Sequence, residues 1–265
     1  MSKFIAAMDH SGGSTGGVLE RYGEEFTEDD KMDKVHQMRL RMVNSPMFVS
    51  DNIWAAILYK DTVDRGMVPI LKQKGIQSYL KIDSGVEENG YLKYFRWSDM
   101  VNYAQEHNCN GTKMRSILKD VKDMDMILTQ QLAIAEVVSE AGLMPIVEPE
   151  IPINHPEKKY LEEALLHELG EKLEIFKGRC ILKLTLPEVP NLYKPLMSHD
   201  RIEKVVGLSG GYTTKQACRR LVVNNGMTAS FSRALSERLM KDMDEKTFNN
   251  TIGENIVMIK TASNG

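Results

Sequence analysis

The sequence predicts an α/β protein, a single closed (β/α)8 TIM barrel over residues 1–265, and three observations carry that expectation. Eight short apolar segments alternate with segments of helical periodicity through 265 residues, which implies a parallel sheet and matches the size of a closed barrel. Charged residues gather at the carboxyl ends of the strand segments, where a barrel places its chemistry. No Gly-x-Gly-x-x-Gly run follows the first strand, which weighs against the alternative, a doubly wound open sheet that binds a dinucleotide.

Phe4 to Asp9 is the first strand, and it ends at the turn Ser11-Gly12-Gly13-Ser14. A short helix runs to about Tyr22; a second, Asp29 to Val43, sets Met32, Val35, Met38 and Met42 on one side. Ile53 to Tyr59 is the second strand, and Met67 to Lys74 a helix whose upstream reach is limited by Pro69. Ser78 to Asp83 is the third strand, Ser98 to His107 a helix, and Asn110 to Arg115 the fourth, weaker strand. Leu128, Leu132, Ala135 and Val138 stripe a long helix that stops at Gly142, a C-cap residue. The fifth strand, Met144 to Val147, runs into Glu148-Pro149-Glu150, and the next helix carries Leu161, Leu165, Leu169 and Leu173. The sixth strand is Cys180 to Leu186, covered by Asn191 to Ser198; the seventh is Lys204 to Leu208. A helix around Ala217 and Leu221 leads to the eighth strand, Thr228 to Phe231, and Leu235 to Met258 is again helical.

Within the sixth strand Ile181, Lys183 and Thr185 share one face and Leu182, Leu184 and Leu186 the other. Both faces are largely apolar, as in a parallel strand covered on two sides, so an ammonium there is costly without partners. The other strand ends supply them: Asp9, then Lys81 and Asp83, Lys113 and Arg115, Glu148 and Glu150. Each pair is spaced by two and faces one way. Buried ion pairs add little net stability, so this concentration of charge is read as catalytic. After the seventh strand, Ser209-Gly210-Gly211 lets backbone N–H groups approach a ligand, and Arg233 follows the eighth. Barrels bind phosphate with these two loops, and a guanidinium suits that anion.

The six histidines are scattered and only His10 lies at a strand end. No His/Asp/Glu grouping has zinc-ligand spacing, so no metal and no cofactor are expected. A net charge of −3 and a pI near 6.1 argue against nucleic-acid or membrane-surface partners. Cys109, Cys180 and Cys218 have no paired spacing, and neither a signal pattern nor an apolar run near ~20 residues is found. A reduced, cytoplasmic protein is expected, with a homo-oligomer left open.

Seven segments in register resemble the class I, lysine-dependent fructose-bisphosphate aldolases in their compact bacterial form. They are Ala6-Ala7-Met8-Asp9-His10-Ser11-Gly12-Gly13-Ser14, Lys81-Ile82-Asp83-Ser84-Gly85, Gly111-Thr112-Lys113-Met114-Arg115-Ser116, Val147-Glu148-Pro149-Glu150, Leu182-Lys183-Leu184-Thr185, Leu208-Ser209-Gly210-Gly211-Tyr212 and Ala229-Ser230-Phe231-Ser232-Arg233-Ala234-Leu235. The resemblance implies reversible cleavage of a phosphorylated sugar, fructose 1,6-bisphosphate, through a Schiff base on Lys183. It makes Glu148 the acid/base of carbinolamine dehydration, Lys113 its assistant and Asp9 the base for the C4 hydroxyl. Ser209, Gly210 and Arg233 are implied contacts for the phosphate near the ketone, and Ser11, Ser14 and Lys81 for the far one, with Arg115 and Glu150 positioning the network. The chain departs from the family at Ser84, commonly lysine, and at Gly16-Gly17, where compact members carry Pro-Lys. Both departures remove a cation from the far phosphate, so a lowered preference for the bisphosphate over the monophosphate is expected. The alternatives are a Schiff-base aldolase for another phosphorylated sugar and a non-catalytic paralogue acting as a scaffold.

Overall fold

Eight parallel strands close on themselves in sequence order. They are β1 (Phe4–Met8), β2 (Ile53–Leu58), β3 (Gln77–Lys81), β4 (Gly111–Ile117), β5 (Met144–Glu150), β6 (Cys180–Thr185), β7 (Ile202–Leu208) and β8 (Thr228–Phe231). The computed structural model describes residues 2–11 and 13–263, with the side chains of all of these except Gly13 and Ser14. Ten α-helices are found among the described residues: α1 (Gly13–Tyr22), α2 (Lys31–Asn44), α3 (Lys60–Asp64), α4 (Met67–Gln73), α5 (Trp97–Glu106), α6 (Met124–Glu140), α7 (Lys158–Ile175), α8 (Thr214–Val222), α9 (Arg233–Ser236) and α10 (Glu245–Ala262).

The period of two in the strands and of 3.6 in the helices produce two separate apolar regions. Ile5, Ala7, Ala55, Ile57, Tyr79, Ile146, Ile181 and Val206 form a cluster of inward-pointing residues that fills the lower part of the barrel. Alternate residues, such as Ala56, Leu80, Met114, Leu182 and Leu184, point outward. They pack in one core with the helical stripes of α6 (Ile127, Leu128, Ala135, Val138) and α7 (Leu161, Leu165, Leu169, Leu173). The inner cluster is a buried apolar floor, and the charged strand ends stand directly above it.

Several boundaries differ from the sequence expectation. β4 extends to Ile117 and β5 to Glu150, so the charged pairs lie inside the ladder, with Arg115 opposite Glu148 and Ile117 opposite Glu150. Backbone pairing therefore fixes Glu148 and Glu150 more firmly than a loop would. β7 starts two residues early, at Ile202, and the five-residue α3 had no readable signal at that length. Between β6 and β7 the cover is a 3₁₀ segment, Lys194–Ser198; Pro187, Pro190 and Pro195 remove the amide donors a longer helix needs. The predicted C-terminal helix, Leu235 to Met258, is broken: α9 stops at Ser236 and α10 restarts at Glu245. There Asp244 caps α10 by accepting the Thr247 amide at 2.7 Å, a local alternative to continued helix.

Candidate active site

Lys113 on β4, Glu148 on β5 and Lys183 on β6 are buried at the top of the floor, and Asp9 follows β1 beside them. The Glu148 carboxylate spans the two lysines. Its Oε2 lies 2.7 Å from Lys113 Nζ, an ion-pair contact, and its Oε1 lies 3.1 Å from Lys183 Nζ. Lys113 Nζ also donates a hydrogen bond to Asp9 Oδ2 at 2.9 Å. One carboxylate thus reaches both amines, and proton transfer between it and either needs no rearrangement.

The two lysines are not equivalent. Burial opposes the charge on Lys113, but Asp9 and Glu148, with Asp83 behind them, outweigh it and hold its pKa above the ordinary lysine value. Lys113 therefore stays an ammonium. Burial likewise opposes the charge on Asp9, yet Lys113 and Lys183 hold its carboxyl well below the usual carboxylate range, so it stays ionised. Lys183 has a carboxylate within ion-pair distance only in Glu148, among the described residues, and Glu148 is shared. Lys113 is thus held by two carboxylates and Lys183 by one that it shares.

A second tier braces the first. Lys81 Nζ lies 2.8 Å from Asp83 Oδ1 and donates to the Asp83 carbonyl at 2.7 Å. Asp83 in turn accepts the Gly85 and Arg115 amides at 3.0 and 3.2 Å. Arg115 Nη1 donates to Glu150 Oε2 at 3.2 Å. Burial, then the neighbouring Glu148 charge, raises the Glu150 pKa, with Arg115 opposing. These groups line a cavity of about 1010 Å³ that opens over Lys183.

The loops after β7 and β8 meet at its edge. Gly210 and Gly211 have φ of +54° and +111°, and a Cβ on Gly210 would lie 2.6 Å from Ile153 Cγ2. Both the backbone hand and the space require glycine at 210. Ser209 is buried there, and Arg233 Nη1 donates to the Gly211 carbonyl at 3.2 Å, tying the two loops.

Asp9, Ser11, Lys81, Lys113, Arg115, Glu148, Glu150, Lys183, Ser209, Gly210 and Arg233 all line this cavity. The side chain of Ser14, in the first turn of α1, lies outside the described residues. The cavity also holds groups the sequence reading did not select. His10 Nε2 lies 2.8 Å from Ser232 Oγ; burial, against the pull of Asp9, lowers its pKa to about 4, so the ring is neutral near pH 7. Arg39, buried on α2, donates to the His10 carbonyl at 2.7 Å and to Thr62 Oγ1 at 2.6 Å, fixing the chain just after Asp9. Its signal was a cation one turn from Val35 on an otherwise apolar stripe. Arg21, Lys60, Arg96 and Asp99 also line the cavity, whereas Arg39 acts from behind its wall. A separate hollow of about 570 Å³, lined by Ile76, Ser78, Asn110 and Leu143, lies at the opposite end of the strands and has Lys72 as its one charged lining residue.

Among the described residues no three His, Cys, Asp or Glu side chains are grouped to hold a metal ion, and no helix is long and apolar enough to cross a membrane.

The fructose-bisphosphate aldolase class 1 of Clostridium acetobutylicum is 38% identical over 279 aligned residues, covering 98% of this chain and 95% of that protein. The chain belongs to the class 1 fructose-bisphosphate aldolase family. No protein-family model matches it. The barrel also superposes on solved aldolases at sequence identities that speak to fold alone. Fructose-bisphosphate aldolase from Plasmodium falciparum gives a TM-score of 0.79 at 18% identity, with 98% of this chain and 90% of that one covered. An archaeal fructose-1,6-bisphosphate aldolase, solved with its catalytic lysine bound covalently to the carbinolamine intermediate, gives 0.56 at 11% identity, with 96% and 93% covered. The (β/α)8 barrel and the class 1 aldolase assignment read from the sequence both stand.

Proposed function

We propose that this class 1 aldolase cleaves fructose 1,6-bisphosphate reversibly to dihydroxyacetone phosphate and glyceraldehyde 3-phosphate, with Lys183 forming the Schiff base. The observation that carries the residue assignment is Glu148 spanning Lys113 and Lys183 above an apolar floor. Glu148 takes a proton from the Lys183 ammonium, and the neutral amine attacks the substrate ketone to give a carbinolamine. Glu148 returns its proton to the departing hydroxyl, water leaves, and a protonated imine remains. Asp9 then accepts the C4 hydroxyl proton as the C3–C4 bond breaks. The aldehyde leaves and the electron pair passes into the imine as an enamine, which is protonated at C3 and hydrolysed. Lys113, held cationic by Asp9 and Glu148, stabilises the negative charge that these transfers create beside it. Arg115 and Glu150 brace the network. Ser209, Gly210 and Arg233 receive the phosphate near the ketone, while Ser11, Ser14 and Lys81 face the far one. The buried, unbridged thiols of Cys109, Cys180 and Cys218 fit a cytoplasmic setting.

A coupled assay of fructose 1,6-bisphosphate cleavage, run with and without EDTA, tests this reading. Turnover is expected in both, because the imine is the electron sink and no ligand cluster among the described residues suits a divalent ion to that role. Activity lost to EDTA and restored by zinc would overturn it.

A further inference from the structure

The resemblance places the far phosphate beside Gly17, where compact relatives carry a lysine, but the structure does not leave that space uncharged. Arg21 sits one turn further along α1, the helix that leads away from Ser11. Residues four apart share a helix face, and Arg21 folds back along it. Its Nη1 lies 3.4 Å from the position a Cβ on Gly17 would take. A Cβ at 17 would only touch the guanidinium, so a longer side chain there would share its space.

Two further observations point to an anion. Arg21 and Arg233 both line the cavity, from α1 and from the loop after β8. They are near enough that burial and the Arg233 charge lower the Arg21 pKa, with Glu20 opposing. Neither is among the cations that pair with carboxylates in the described residues, where Lys81, Lys113, Arg115 and Lys183 all do. Two guanidiniums without a carboxylate partner among the described residues thus face one opening, and a sugar with two phosphates offers an anion to each, the phosphate near the ketone to Arg233 and the far one to Arg21. Lys81, assigned to the same phosphate by resemblance, is already committed to Asp83 at 2.8 Å.

We infer that Arg21 is a specificity-determining residue, its guanidinium filling the space above Gly17 and contacting the far phosphate of a bisphosphate sugar. The inference rests on the functional reading above. It replaces the expectation that the departure at Gly16-Gly17 weakens discrimination: the cation is supplied from position 21.

The test compares wild type, Arg21→Ala and Arg21→Lys on fructose 1,6-bisphosphate and on fructose 1-phosphate, which lacks the far phosphate. In Arg21→Ala the bisphosphate-to-monophosphate ratio of kcat/KM should fall about tenfold, the low end for a charge-assisted contact at an exposed rim. The loss should be carried mainly by KM for the bisphosphate. Arg21→Lys should recover most of it. A ratio within about twofold of wild type, or equal losses on both sugars, would overturn the assignment while the Schiff-base reading stands. Wild type inert on both sugars would instead overturn the functional reading, and this inference with it.

Discussion

Lys183→Met is expected to abolish fructose 1,6-bisphosphate cleavage, by at least roughly 10⁴-fold, as loss of a covalent nucleophile does, while the barrel remains folded. The side chain rises from the floor formed by Ile146, Ile181 and Val206, and an unbranched methionine of similar length fits that path. Removing one member of a buried ion pair is ordinarily destabilising because it strands the other charge. Here Glu148 keeps Lys113 at 2.7 Å, so its carboxylate is not left alone. Cooperative thermal unfolding near the wild-type Tm, together with background turnover in the coupled assay, is the expected pair of results. A folded variant retaining more than about one hundredth of wild-type kcat would place the nucleophile elsewhere.

Glu148→Gln is expected to lower kcat by roughly 10²–10⁴-fold, the range for removing a general acid/base, with KM moving far less. The amide keeps the size of the carboxylate and an acceptor oxygen but cannot carry a proton between Lys183 and the carbinolamine hydroxyl. Lys113 retains Asp9 at 2.9 Å, so the rest of the cluster keeps its charge balance. Lys183 loses its carboxylate neighbour, and both imine formation and imine hydrolysis should slow together. Steady-state kcat and KM, with single-turnover rates in both directions, check this. A variant within a few-fold of wild type would pass the role to Glu150, whose pKa burial raises even without the Glu148 charge.

The candidate site was legible as a cluster because a strand constrains its side chains so tightly. Period two placed Lys113 with Arg115, Glu148 with Glu150 and Lys183 with Ile181 on the inward face before any contact was known, and sequence order around the barrel brought them together. The loop glycines at 210 and 211 were legible for a related reason: their positive φ excludes most other residues. What escaped depended on contacts between distant elements. Arg39 reads as a flaw in an apolar helix until the His10 carbonyl and Thr62, 29 and 23 residues away, are seen to receive it. Arg21 carries no signal in the sequence, because what sets it apart is its approach to Gly17 and the Arg233 charge it feels. The break before α10 was written locally, in Asp244 and Thr247, but the apolar spacing from Leu235 onward masked it.

The most direct test of the central claim is to treat the enzyme with dihydroxyacetone phosphate and borohydride, then map the modified peptide by mass spectrometry. Reduction of a protonated imine makes the link permanent, so the mass of the reduced triose phosphate adduct should appear on Lys183 and on no other lysine. Adduct on Lys113 or Lys81, or an unmodified chain under conditions where the enzyme turns over, would contradict the account.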